Sequence, residues 1–108
     1  MIRTQQLDAH PLIEIARRHQ LAYLALFGSY ARGQATSNSD VDLYARFGRP
    51  VALFEVLTLK YEMEDALGLA VDLIVEEAVV PYAFVRDGIE RDQVILYEQK
   101  RPTNVVAK

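Results

Sequence analysis

The chain predicts an α/β (α+β) domain, a small mixed β-sheet with helices packed against it, and three observations carry that expectation. Short apolar runs of strand length alternate with stretches whose apolar residues recur at helical spacing. Glycine and proline mark the junctions between them, as at Gly28, Gly48-Arg49-Pro50 and Gly68. A length of 108 residues suits one compact domain with a real core.

Taken in order, Leu7, Leu12, Ile13, Ile15 and Ala16 form a helical apolar stripe. It ends in Arg17, Arg18 and His19, where cations complement the helix dipole. Leu21 to Phe27 reads as a buried strand closed by Gly28. Ser29 to Arg32 fits a short helix whose first N–H groups face the Gly-Ser turn. Gly33 to Ser39 is small, polar and turn-like, and Asp40 to Phe47 is a second strand. Leu53, Val56, Leu57, Leu59, Lys60, Met63, Glu64 and Leu67 fit an amphipathic helix that Gly68 stops. Leu69 to Val75 is a third strand, Glu76 and Glu77 lead to a helix entered near Pro81, and Val94 to Tyr97 is a last strand. The domain is expected over 1–98, with the polar segment 99–108 as a flexible tail.

Composition removes several function classes. No cysteine is present, so there is neither a disulfide framework nor a thiolate metal site, which agrees with a cytoplasmic protein. No apolar run approaches the roughly 18 residues that cross a bilayer, and the N-terminus lacks the apolar core of a signal peptide. A net charge of −3 argues against direct nucleic-acid binding, which needs a basic surface to displace counterions. Neither a Walker A lysine motif nor a Gly-x-Ser-x-Gly nucleophile turn occurs.

The chemistry concentrates in one stretch. Gly28-Ser29 closes a strand with a turn whose amides and Ser29 hydroxyl suit phosphate oxygens. Asp40 and Asp42 alternate on the next strand and therefore share a face, while Val41 and Leu43 take the other. Two carboxylates that close repel unless a cation compensates, and Mg²⁺ is the natural hard partner for oxygen ligands. Alone, Asp-x-Asp is more often a turn cap with a solvated charge. Asp72 shifts that balance: it is a charge inside the apolar run Val71 to Val75, and needs a partner. The best candidate is the same metal site, if its strand lies beside that of Asp40 and Asp42; the structural alternative is an edge position or an ion pair with Arg32 or Arg46. Arg32 is expected to pin the loop beside the carboxylates, Gly33 to permit its turn, and Ser39 to orient the approach to Asp40. His10 and His19 are expected at the surface, and Glu62, Glu64 and Asp65 on a solvated helix face. The six tyrosines are assigned to packing, with Tyr30 inside the loop.

Gly28-Ser29, Arg32-Gly33, Ser39-Asp40-x-Asp42-Leu43 and the later Asp72 together resemble the DNA polymerase beta-like nucleotidyltransferase superfamily. The short length resembles its minimal nucleotidyltransferase (MNT) domains. The resemblance implies that fold and a transfer of NMP, AMP from ATP above all, onto a hydroxyl. It implies that Asp40, Asp42 and Asp72 hold two Mg²⁺ ions, or Mn²⁺ in their place, and that Gly28 and Ser29 hold the phosphates. It further implies a HEPN-family toxin as partner, whose tyrosine takes the AMP, with this chain as antitoxin. Two alternatives stand beside it: a non-catalytic antitoxin that masks its toxin by binding, and an aminoglycoside-type transferase acting on a small molecule.

Overall fold

Tyr23–Phe27 (β1), Val41–Arg46 (β2), Val71–Val75 (β3) and Val94–Glu98 (β4) hydrogen-bond into one sheet in the order β3-β2-β1-β4. The computed structural model describes residues 7–78 and 93–99. β1 runs antiparallel to both β2 and β4, whereas β2 and β3 are parallel, so the sheet is mixed as expected. The parallel pair needs a crossover, and the helix Leu53–Leu67 (α3) provides it.

Alternation divides each strand between two faces. Leu24 and Leu26 of β1, Val41, Leu43 and Ala45 of β2, and Val71 and Val75 of β3 enter the core. There they meet Leu12, Ile15 and Ala16 of the first helix, His10–Arg18 (α1), and Leu59 and Met63 of α3. Asp42, Tyr44 and Asp72 belong to the opposite face. Both helices therefore hold the sheet rigid from behind while the chemistry-bearing face stays separate.

Local chemistry sets the ends of the elements. Gly68 takes the left-handed conformation (φ 68°) that closes α3, and its N–H donates to Glu64 O at 2.8 Å. Pro11 occupies the first turn of α1, where its missing N–H is not needed. β1 starts at Tyr23 rather than Leu21 and β3 at Val71 rather than Leu69. The last strand extends through Glu98. The helix expected near Pro81 and the tail from 100 onward lie outside the described residues.

Two expectations about charged side chains need correction. His19 is largely buried, with only 16% of its side chain exposed, and its Nε2 lies 2.5 Å from Glu62 Oε1. Arg18 Nη1 donates to the other oxygen of Glu62 at 2.6 Å, so this carboxylate joins α1 to α3 rather than facing solvent. Glu64 Oε2 accepts from the backbone N–H of Val71 at 3.0 Å and from Lys60 Nζ at 3.2 Å, and so fixes the entry to β3. Packing of α3 against α1 and β3 drew these acids inward. Asp65 is exposed, as expected.

Candidate active site

Three segments converge at one end of the sheet. β1 ends at Phe27, which pairs with Asp42 of β2, and Asp42 pairs in turn with Asp72 of β3. The parallel register thus sets two carboxylates side by side on the face away from the helices. Asp40 stands just ahead of β2, two residues before Asp42, and is exposed. Immediately after Phe27 the chain turns at Gly28 (φ 73°) into a one-turn helix, Gly28–Ala31 (α2), which carries the half-buried Ser29.

Gly28 and Asp42 are in intimate contact. A β-carbon added at position 28 would lie 2.2 Å from Asp42 Oδ2, so the carboxylate occupies the space a side chain there would fill. Close approach of an anion to this glycine was expected from the sequence with phosphate in mind. In the structure the anion at that surface is the chain's own Asp42.

The electrostatics are those of an undercompensated acidic pair. The Asp42 carboxyl is raised to about 6, first by burial, then by the charge of Asp72 and next by that of Asp40, with Arg32 acting in the opposite direction. Asp72 is exposed on an edge strand of the described sheet, so the expected cost of burying its charge does not arise. Among the described residues, no three acidic or histidine side chains are drawn together into a ready ligand set as they stand. The donor chemistry nevertheless fits a hard divalent cation: two carboxylates stand in register on adjacent strands, and positive charge would offset the burial and the like charges that raise Asp42.

The loop between α2 and β2 is braced by its own residues. Arg32 Nε donates to Gln34 Oε1 at 3.1 Å, and the Arg32 N–H closes α2 on Gly28 O. Gly33 turns with φ 72° and has open space around it. Ser39 and Thr36 bond reciprocally: Thr36 N–H donates to Ser39 Oγ at 2.9 Å, and Ser39 N–H to Thr36 O at 3.0 Å. That pair fixes the approach to Asp40. Tyr30 points into the core, where its hydroxyl is buried without a hydrogen-bond partner among the described residues.

Sequence reasoning missed what lies next to the carboxylates. Tyr44 follows Asp42 on the same face, opposite Ile74, and donates its hydroxyl hydrogen to Glu76. Its ring meets Tyr23 edge-on at 6.1 Å, and the Arg46 guanidinium lies 4.8 Å over Tyr23. Burial and the Glu76 carboxylate push the Tyr44 hydroxyl up to about 12. The alternation 40/42/44/46 and 72/74/76 was the available signal, because residues two apart on a strand share a face.

Comparison with known proteins accords with this geometry. Residues 11–102 match the polymerase beta nucleotidyltransferase family. A protein of Methanocaldococcus jannaschii with a provisional protein adenylyltransferase name is 36% identical over 83 residues, 77% of this chain and 87% of that protein. The protein adenylyltransferase MntA of Thermococcus cleftensis is 35% identical over 61% of this chain and 67% of its own. In fold, the chain resembles a crystallised toxin–antitoxin complex with AMP-PNP (TM-score 0.75, 22% identity, 87% of this chain and 76% of that one). It also resembles a complex of the tri-AMPylated Shewanella oneidensis HEPN toxin with its MNT antitoxin (TM-score 0.63, 19% identity, 82% and 67%). The match spans most of the sequence, including every residue of the acidic site, and the chain belongs to the polymerase beta-type nucleotidyltransferase family.

Proposed function

We propose that this chain transfers AMP from ATP to a tyrosine hydroxyl on a HEPN-family ribonuclease toxin and thereby acts as its antitoxin. The observation that carries the reading is the register pair Asp42–Asp72 beside the Gly28-Ser29 turn, with Asp40 two residues upstream. The adenylyltransferase names of the relatives and the AMPylated toxin in a complex of similar fold support the choice of AMP and of partner.

Asp40 and Asp42 would hold Mg²⁺, with Asp72 joining them on the acceptor side. When bound, the cation lowers the pKa of the acceptor hydroxyl and offsets charge on the phosphates. The amides of Gly28 and Ser29 and the Ser29 hydroxyl receive the terminal phosphates. Asp72, exposed at the sheet edge, is open to an acceptor delivered by another protein and takes its proton at the carboxylate. The acceptor oxygen bonds to the α-phosphorus as the bond to the β-phosphate oxygen breaks, and pyrophosphate leaves. The chain contributes position and field, and no covalent intermediate is needed.

Masking without catalysis has one observation in its favour. Leu53, Phe54, Leu57 and Tyr61 form an exposed apolar stripe along α3, with Phe54 81% exposed. One experiment separates the readings: incubate the purified chain, Mg²⁺ and α-labelled ATP with a purified HEPN-family ribonuclease toxin. Label on the toxin and loss of its ribonuclease activity are expected, and both should vanish with Asp42→Asn or Asp72→Asn. Neutralisation that survives Asp40→Ala with no label transferred would establish masking instead.

A further inference from the structure

The contact between Tyr44 and Glu76 joins the two strands that carry the carboxylates, on the carboxylates' own face. Tyr44 is the next residue after Asp42 on that face, and Glu76 lies four residues beyond Asp72, so the tie spans β2 and β3 one step from the acidic pair. β3 is an edge strand among those described, held through a ladder on one side only. Like charges at Asp42 and Asp72 push the strands apart where that ladder begins. At its other end, Glu76 N–H donates to Ala45 O at 2.9 Å, which continues the parallel pairing past Val75. Beyond that, the Glu77 carboxylate accepts from the N–H groups of Phe47 and Gly48 at 3.0 and 2.9 Å.

The Tyr44 ring is itself fixed. Tyr23 meets it edge-on, Arg46 covers Tyr23, and the Tyr23 hydroxyl donates to Gln93 Oε1 at 2.5 Å just before β4. A belt of rings and polar groups thus crosses the sheet from β4 to the end of β3, directly below the carboxylates. With both rings braced, the O–H of Tyr44 holds Glu76 at a set position and keeps that acid, just past the end of β3, engaged away from Asp72.

The geometry points to Tyr44, through its bond to Glu76, as a positioning residue that sets the spacing of Asp42 and Asp72 for a divalent cation. This rests on the reading that those carboxylates hold the metal. It goes beyond that reading by assigning part of the metal affinity to two residues that touch neither metal nor substrate. Groups that orient ligands in this way typically govern about tenfold or more in affinity.

The test measures Mn²⁺ binding to the full chain by the quenching of its electron paramagnetic resonance signal. AMP transfer and thermal unfolding are followed in parallel. Tyr44→Phe keeps the ring but removes the donor, and Glu76→Gln keeps an acceptor. The expected result is Mn²⁺ affinity weakened about tenfold in Tyr44→Phe, kcat reduced in step and KM for ATP within about twofold of wild type. Glu76→Gln should stay near wild type, and Glu76→Ala should behave as Tyr44→Phe does. A lower unfolding temperature with unchanged Mn²⁺ affinity makes the tie purely structural and overturns the inference. If the wild-type chain itself binds no Mn²⁺, the metal reading falls and takes this inference with it. A binding wild type beside an equally binding Tyr44→Phe sinks the inference alone.

Discussion

The Asp42 carboxylate fills the space that a side chain at position 28 would take, with Oδ2 only 2.2 Å from where a β-carbon would lie. Gly28 also sits at φ 73°, which an L side chain rarely adopts, so substitution there is opposed twice. Gly28→Ala should push Asp42 out of register with Asp72. A displacement near 1 Å at a reacting centre lowers rate by about a hundredfold. The expected outcome is a folded variant, less stable by about 1 kcal/mol or more, with AMP transfer down about a hundredfold. Circular dichroism and label transfer measured together check it. Transfer at the wild-type rate would mean that Asp42 needs no such seat.

Tyr30 leads to the opposite kind of prediction. Its hydroxyl is buried in the core with no hydrogen-bond partner among the described residues, and a buried unsatisfied polar group is destabilising. Tyr30→Phe removes the hydroxyl and keeps the ring, so stability should be unchanged or higher by up to about 1 kcal/mol. Urea unfolding measures this directly. A loss of more than about 1 kcal/mol would show that the hydroxyl has a partner in solution, such as an ordered water.

What the sequence conveyed and what it withheld divide along physical lines. α3 was legible because its apolar residues recur at helical spacing and Gly68 offers the left-handed stop. The Gly28 turn and the face that Asp42 takes on β2 were legible because both depend on neighbours in the chain. The pairing of Asp42 with Asp72 depends on strand order, which no local pattern encodes, so from the residues it stood only as a condition for Asp72 to share the site, which the register meets. Asp72 was expected to need a partner because its strand is apolar on both faces. An edge position in the sheet removes that need. The Tyr44–Glu76 and His19–Glu62 contacts join residues 32 and 43 positions apart, and two exposed-looking acids gave no sign of them.

The Glu62 contact gives a prediction about stability. His19 and Arg18 hold the Glu62 carboxyl below its ordinary range, the bond from His19 contributing most. A carboxyl depressed in the folded state stabilises above its unfolded pKa, and that stability is lost as pH falls through the folded value. About a third of the Glu62 side chain is exposed, and solvent screening there limits the effect to at most about 1 kcal/mol. Glu62→Gln should therefore be less stable than wild type at pH 7, and the two should converge in acid below the folded Glu62 pKa. Thermal melts of both proteins across that range test it. A gap that persists unchanged into acid would assign the loss to packing.

Asp42 behaves in the reverse sense, because its carboxyl is raised to about 6 rather than lowered. Between its unfolded value near 4 and about 6, the folded chain binds more protons than the unfolded one, so this group's contribution to stability falls as pH rises. Above pH 6 the ionised Asp42 faces Asp72 and Asp40 at a cost on the order of 1 kcal/mol after allowance for solvent screening. Asp42→Asn should then exceed wild type in stability at pH 7.5, with the advantage fading toward pH 4. Mg²⁺ should reverse the order at pH 7.5, because a cation bound only by the folded chain stabilises it. The same ion should do little at pH 4.5, where Asp42 is protonated, and little to Asp42→Asn at any pH. Melting temperatures with and without Mg²⁺ at both pH values give the four comparisons. Equal Mg²⁺ stabilisation of wild type and Asp42→Asn would locate the cation elsewhere than at this carboxylate.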